Sequence, residues 1–171
     1  MSDWIGPNVY RIAGYADRKS AVTVKDGSKS ENAEVVTKAN ETNQGDHWQF
    51  VHVGTGVSKR EEFVIINRYT GLYLTYTEGA PQAPLTLTRV SPMQPRCHWN
   101  LAPCRNGTGA YRIVAAQNNA MMLVTEGEGL ADGTRLQIWK GKPESKGTWW
   151  YLELVDGMAL QSADIGKAGK P

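Results

Sequence analysis

The sequence predicts an all-β protein made of three repeats, each with four short strands. Trp48, Trp99 and Trp150 follow one another at an interval of 51 residues, which indicates one supersecondary unit used three times. Short apolar runs recur at roughly ten-residue spacing with turn residues between them, a pattern typical of closed all-β architectures. No segment has the sustained apolar periodicity of a helix.

Each repeat is predicted to hold its elements in the same order. An aromatic-rich strand comes first, a second strand ends in an acidic residue and a glycine, and a third strand leads to the tryptophan strand. The acidic-glycine pairs are Asp26-Gly27, Glu78-Gly79 and Glu126-Gly127. The strands before each tryptophan strand are predicted at 9–12, 21–24 and 34–37, at 62–65, 72–75 and 84–87, and at 110–113, 121–124 and 135–138.

One such unit alone cannot bury its apolar face, whereas three together can close into a barrel without free sheet edges. We therefore expect the three repeated tryptophans to lie in the core. The predicted repeats span about 9–57, 62–105 and 110–156, within a single domain of residues 1–156. Residues 157–171 are predicted to be a C-terminal tail.

Composition excludes several classes of function. The 171 residues carry 19 basic and 17 acidic side chains, a net charge of +2 that is too balanced for a nucleic-acid-binding surface. No apolar run has the length that membrane insertion requires, and the N-terminus lacks the pattern of a signal peptide. These features predict a cytoplasmic protein. Cys97 and Cys104 are predicted to be free thiols, because seven extended residues span ~23 Å and a disulfide needs Cα atoms within ~7 Å.

The sequence contains no pattern typical of an enzyme. The three histidines, His47, His52 and His98, have no metal-ligand spacing. There is no nucleophile elbow, phosphate-binding loop or dinucleotide-binding glycine pattern. The protein is therefore predicted to lack catalytic activity and a metal site.

The repeat pattern resembles the ricin-B-type β-trefoil. The segment 63–75, together with Ser91-Pro92 and Trp99, is especially similar to cytosolic fungal lectins of the Sclerotinia agglutinin type. The tripeptides that end in the repeated tryptophans depart from the Gln-x-Trp signature of that superfamily, since all three lack the glutamine. The resemblance implies a six-stranded barrel capped by three hairpins. It further implies binding of galactose or N-acetylgalactosamine on glycans, no cofactor, and often a homodimer.

One predicted sugar site lies on the third repeat. Leu136 and Ile138 share a strand face, so alternation sends Gln137 and Trp139 outward if the leucine face is core. Trp139 would then give a sugar a flat platform, with Glu126 and Asp132 on the same hairpin. The alternative is that Trp139 packs under the loop at 141–143 or under the tail.

A second predicted sugar site lies on the first repeat. Lys25 and Asp26 end the second strand, and Asn43 and Asp46 precede Trp48. Carboxylates and amides match the spacing of vicinal hydroxyls. Asp26 has an alternative role, in which it caps the turn through its own backbone. Glu78, in the second repeat, marks the site least expected to bind sugar.

A different class of function is also compatible with the sequence. The proline-bracketed segment around Pro92–Arg96 could act as the inhibitory loop of a protease inhibitor, with Arg96 as the specificity residue. The alternative is a turn that its prolines keep extended.

Overall fold

The computed structural model describes residues 1–56, 59–142 and 144–155. Within these residues it contains the twelve strands that the repeat pattern predicts. The predicted tail at 157–171 and the end of the third repeat at residue 156 lie outside the described residues. The strands are β1 Val9–Gly14, β2 Ser20–Val24, β3 Ala33–Ala39, β4 His47–Thr55, β5 Glu61–Asn67, β6 Tyr73–Thr75, β7 Thr86–Thr88, β8 His98–Pro103, β9 Tyr111–Ala115, β10 Met122–Thr125, β11 Leu136–Trp139 and β12 Trp150–Leu154.

Six of the strands close into a barrel. Antiparallel pairing runs from β1 to β4, β5, β8, β9 and β12, and β12 pairs with β1 again. The other six strands form three hairpins, β2–β3, β6–β7 and β10–β11. The hairpins also contact one another, through the β3–β7 pairing and the bridges Val36↔Arg135 and Pro84↔Gln137. The predicted barrel with three capping hairpins is therefore confirmed.

The repeated tryptophans occupy equivalent places in the core. Trp48, Trp99 and Trp150 are each at most 1% exposed. Each indole Nε1 donates a hydrogen bond to a carbonyl in the second strand of its own repeat, at 2.8 Å to Val22, 3.0 Å to Leu74 and 3.2 Å to Leu123. A buried indole N–H needs such an acceptor. The same bond in each repeat explains why the residue recurs.

A fourth tryptophan, which the repeat pattern does not include, closes one end of the barrel. The Trp4 ring lies 5.0 Å from Tyr10, 5.6 Å from Phe50 and 5.5 Å from Phe63, measured between ring centroids. The arm that carries it is fixed by a 2.7 Å bond from the Asp3 N–H to the Leu152 carbonyl. Trp4 therefore packs against the core as a partly buried residue.

The three acidic-glycine pairs form equivalent turns after the second strands. Gly27, Gly79 and Gly127 have φ values of 62°, 68° and 65°, a region that residues with a Cβ adopt rarely. The turns at Lys25–Gly27 and Glu126–Glu128 are short 3₁₀ segments. The backbone requirement explains why a glycine ends each second strand.

The two cysteines are free thiols. They flank β8, so the extended segment predicted between them is confirmed. Burial raises the pKa of both thiols above the ordinary value. Both groups are therefore neutral near pH 7.

Candidate functional site

Trp139 lies at the end of β11, on the hairpin that caps the third repeat. Its side chain is 37% exposed, whereas Leu136 and Ile138 on the other face of the strand are at most 2% exposed. Among the described phenylalanine, tyrosine and tryptophan residues, Trp139 is the most exposed. Alternation along β11 therefore predicts the direction of this ring correctly. Pro143, in the loop that could cover Trp139, lies outside the described residues.

The expected exposure of Gln137 is wrong. The residue is only 7% exposed, because β11 has a neighbour on each side at this point. Val124 of β10 pairs with Gln137 on one side, and Pro84 of the second repeat forms a bridge on the other. Alternation sends the side chain away from the leucine face, but the contact between hairpins covers it.

The two acidic residues of the third hairpin, Glu126 and Asp132, bind different partners. The Glu126 carboxylate is 3.1 Å from an Arg135 nitrogen, and its side chain is 55% exposed. Asp132 Oδ1 accepts a 2.7 Å hydrogen bond from the Ala39 N–H of β3. Asp132 thus connects the third hairpin to the first repeat, whereas Glu126 remains open to solvent.

In the first repeat, the hairpin turn and the loop before Trp48 come together. Asn43 Oδ1 accepts a 2.8 Å bond from the Gly45 N–H, and Asn43 Nδ2 lies so close to Gly27 that an added Cβ would be 2.9 Å from it. Asp26 is exposed and has a φ of 53°. Lys25 forms a 3.0 Å ion pair with Glu34. Three of the predicted site residues, Lys25, Asp26 and Asn43, therefore lie in one region.

The fourth residue, Asp46, differs from the prediction of a direct sugar contact, because its carboxylate is not open to a ligand. Asp46 is 3% exposed. Its Oδ2 accepts a 2.7 Å bond from Arg11 Nε, and Arg11 also forms a 2.8 Å ion pair with Glu153 of β12. A half-buried guanidinium needs carboxylate partners, and Asp46 supplies one. The main contact of the Asp46 carboxylate is therefore the ion pair with Arg11, which stabilises the fold.

A cluster of aromatic rings beside this network was not predicted. The Tyr15 ring stacks on Tyr151 at 5.6 Å and meets Trp149 edge-on at 4.9 Å. Arg18 lies 4.6 Å from the centre of the Tyr151 ring. The signal was present in the sequence, because alternation around the buried Trp150 turns both of its neighbours outward.

The second repeat has a different kind of surface. The turn that carries Glu78 borders a cavity of about 210 Å³, which Tyr76, Pro81, Met121 and Ile138 also line. Burial, followed by the negative charge of Glu78, raises the pKa of Tyr76 to about 12. The Tyr76 hydroxyl donates to the Pro95 carbonyl at 3.1 Å. This turn is thus tied to the proline-rich loop.

The proline-rich loop has Met93, not Arg96, at its tip. Met93 is 81% exposed, whereas Arg96 is partly buried and its Nε has no hydrogen-bond partner in the described part of the chain. His98 Nε2 lies 2.6 Å from the Pro92 carbonyl, and His98 Nδ1 lies 2.8 Å from Glu62. Arg96 is therefore less accessible than Met93, because it lies in the short 3₁₀ turn Pro95–Cys97 that leads into β8; its role as the specificity residue stays a prediction.

Two further findings concern the described residues. They contain no group of three or more histidine, cysteine, aspartate or glutamate side chains arranged to hold a metal ion. Among them, no helix is long and apolar enough to cross a membrane.

A closed six-stranded barrel with three capping hairpins and threefold-repeated tryptophans is a β-trefoil. A family model described as "Ricin-type beta-trefoil lectin domain-like" matches residues 45–139, which is more than half of the chain. The protein therefore belongs to the ricin-type β-trefoil lectin domain-like family. Among curated protein sequences, none matches this chain.

Solved structures agree on the fold. A designed threefold-symmetric protein, ThreeFoil, has a TM-score of 0.72 at 20% identity, and the match covers 84% of this chain and 96% of that one. The Rhizoctonia solani agglutinin has a TM-score of 0.72 at 12% identity, covering 89% of this chain and 98% of that one. A mosquitocidal holotoxin has a TM-score of 0.76 at 19% identity, covering 90% of this chain. In that case this chain spans only 18% of its relative's length.

Proposed function

We propose that the protein is a non-catalytic lectin that binds glycans ending in galactose or N-acetylgalactosamine. Membership of the ricin-type β-trefoil lectin domain-like family supports carbohydrate binding in general. The similarity to the Rhizoctonia solani agglutinin supports the same class of function. The choice of galactose and N-acetylgalactosamine rests on the resemblance of the segment 63–75 to Sclerotinia-type lectins.

The exposure of Trp139 is the observation that carries this proposal. A pyranose ring presents an apolar C–H face, which packs well on a flat aromatic ring with an accessible face. Trp139 offers such a ring at the rim of a rigid hairpin, whose strands pair from Met122↔Trp139 to Thr125↔Leu136. Because the hairpin is held by its neighbours, little conformational entropy is lost when a sugar binds.

Glu126 is assigned to the far end of the third-repeat site. It follows the pair Thr125↔Leu136, roughly 10–13 Å along the strands from Met122↔Trp139, so it would contact a second unit of a bound glycan and not the sugar that packs on Trp139. Among the described residues its carboxylate pairs with Arg135, and its side chain is 55% exposed. It therefore keeps acceptor capacity for sugar hydroxyls. Asp132 and Gln137 are assigned indirect roles, because Asp132 accepts a hydrogen bond from the β3 backbone and Gln137 is buried.

The second proposed site is on the first repeat and consists of Lys25, Asp26 and Asn43. These residues surround one turn, where a carboxylate and an amide can pair with neighbouring hydroxyls. Asp46 contributes indirectly, since its ion pair with Arg11 fixes the loop that carries Asn43. No aromatic platform is assigned here, so we expect this site to bind more weakly than the site at Trp139.

A calorimetric titration of the full chain with galactose and N-acetylgalactosamine tests the third-repeat site. Single-site dissociation constants on the order of 0.1–1 mM are expected, because hydroxyl hydrogen bonds to protein replace those to water. Trp139→Ala should weaken binding at least tenfold while the fold persists. Met93→Ala is the matched control, since Met93 is a more exposed apolar residue on another loop. Equal binding by both variants would reject Trp139 as the platform.

Several weak sites become useful only when they act together. The proposal therefore includes a homodimer, as the resemblance implies. Sedimentation of the full chain measures the molecular mass in solution. If the protein is a monomer at all concentrations, the dimer is removed from the proposal. Any avidity would then come from the two sites within one chain.

The second candidate function is protease inhibition through the loop around Pro92–Arg96. The observation in its favour is the 81% exposure of Met93 on a loop that the contacts of His98 and Tyr76 hold in place. An inhibitor of this kind would titrate a protease at close to equal molar amounts. Met93→Ala would then abolish inhibition, and a protein that leaves a panel of proteases fully active would exclude this function.

A further inference from the structure

A cavity of about 730 Å³ lies away from the three hairpins. It opens at one edge of the barrel, where β5 begins, β8 ends and β9 begins. Cavities of about 300–1,000 Å³ hold small molecules in proteins. The sugar sites proposed above do not use any residue of this cavity.

Three arginines line the cavity, Arg60, Arg105 and Arg112. None of them forms an ion pair with a carboxylate in the described part of the chain. Glu61 is the one acidic residue in the lining, so positive charge is in excess. The Arg112 Nε is buried and has no hydrogen-bond partner among the described residues.

The repeat itself supplies a comparison for Arg112. The tripeptide Tyr-Arg-Ile lies in the first strand of two repeats, with Arg11 in β1 and Arg112 in β9. Arg11 is neutralised by Asp46 at 2.7 Å and by Glu153 at 2.8 Å. Arg112 occupies the same place in its repeat without either partner. The first repeat therefore shows that an arginine at this position can be neutralised by two carboxylates of the same chain.

The Cys104 thiol interacts with Arg112 by charge and by a side-chain hydrogen bond. Burial raises the pKa of this thiol, although the neighbouring Arg112 acts in the opposite direction. A neutral thiol is a weak acceptor. A neutral thiol does not balance the charge of Arg112, and its Nε has no hydrogen-bond partner among the described residues.

The lining of the cavity also contains apolar and aromatic side chains. Trp4, Phe63 and Tyr111 line it together, with the Trp4 ring centroid 5.5 Å from Phe63 and 6.4 Å from Tyr111. Leu101 lies in the same wall. A ligand in this cavity would meet both guanidinium groups and aromatic rings.

We propose that this cavity binds a carboxylate carried on a ring that has an apolar face. A guanidinium binds a carboxylate with two parallel hydrogen bonds, and the aromatic wall packs against the ring. Two kinds of small molecule have this chemistry, an acidic sugar and an aromatic carboxylic acid. The inference does not depend on the lectin function, because the cavity and the hairpins share no residue.

Calorimetric titration of the full chain with glucuronate and with naphthoate tests the proposal. Glucose and naphthalenemethanol are the neutral counterparts of the two probes. At concentrations up to about 10 mM, at least one carboxylate should bind and its neutral counterpart should not. Binding of glucuronate alone identifies the acidic-sugar class, and binding of naphthoate alone identifies the aromatic acids. If neither carboxylate binds, or if the neutral compounds bind equally well, the proposal is wrong.

Variants locate the binding. Arg112→Gln should weaken it roughly tenfold or more, since a charge-assisted contact is lost. Arg89→Gln is the matched control, because Arg89 is exposed and does not line this cavity. If Arg112→Gln fails to fold, the double variant Arg60→Gln and Arg105→Gln, at two exposed positions, gives the same test. Binding equal to wild type in these variants, or binding that Trp139→Ala abolishes, would overturn the assignment.

Discussion

Replacement of Trp48 by phenylalanine tests the role of the repeated tryptophans. The substitution removes the Nε1–H that bonds the Val22 carbonyl at 2.8 Å in a site that is 0% exposed. Leaving a buried acceptor without a donor costs about 1–3 kcal/mol. The smaller ring adds about 1 kcal/mol of lost packing. We therefore expect Trp48→Phe to lower the free energy of unfolding by about 2–4 kcal/mol.

Urea denaturation, followed by far-ultraviolet circular dichroism, measures this change. Because the equivalent bonds of Trp99 and Trp150 have nearly the same length, their phenylalanine variants should fall within about 1 kcal/mol of Trp48→Phe. Trp139→Phe is the control for the same substitution at an exposed site, and should change stability by less than about 0.5 kcal/mol. A Trp48→Phe variant as stable as the control would refute the reasoning.

Three further predictions concern charged and ionisable groups. Asp46→Ala should lower the free energy of unfolding by about 1–3 kcal/mol in urea, because Arg11 loses its 2.7 Å partner; unchanged stability would contradict the structural role. Burial would raise the pKa of Glu41, but bonds from Thr42 and Thr23 and the charge of Lys38 outweigh it and lower that pKa. The Glu41 contribution to stability is therefore present at neutral pH and lost as the pH falls below about 4, so Glu41→Gln should lose less stability than wild type between neutral and acid pH. Tyr76, with its pKa raised to about 12, should favour folding below about pH 10 and lose that contribution as the pH rises. An absorbance titration in which Tyr76→Phe matches wild type up to about pH 11 and then lacks one ionisation checks the assignment.

The barrel and its hairpins follow directly from the sequence, since their signals are local and recur. A buried indole needs an acceptor, a turn with positive φ favours glycine, and both features return three times along the chain. Trp4 shows where this reasoning fails. The residue precedes the first repeat, so no spacing predicts its packing against Phe63 and Tyr111.

The candidate sites are less predictable, because they depend on contacts between distant segments. Gln137 is buried by a bridge to Pro84, which lies in another repeat. Asp46 forms an ion pair with Arg11, which lies 35 residues away in sequence on another strand. Alternation along a strand predicts the direction of a side chain, but its exposure to solvent also depends on whether a neighbouring hairpin covers it. Trp139 was predictable since it lies at the end of its strand.

A glycan array probed with the full chain and with Trp139→Ala tests the central claim most directly. If the protein is a lectin of the proposed kind, the glycans bound by the full chain share a terminal galactose or N-acetylgalactosamine. The variant should then lose most of this signal while it retains the wild-type circular dichroism spectrum. An array without bound glycans, under conditions where a control lectin binds, would contradict carbohydrate binding by this protein.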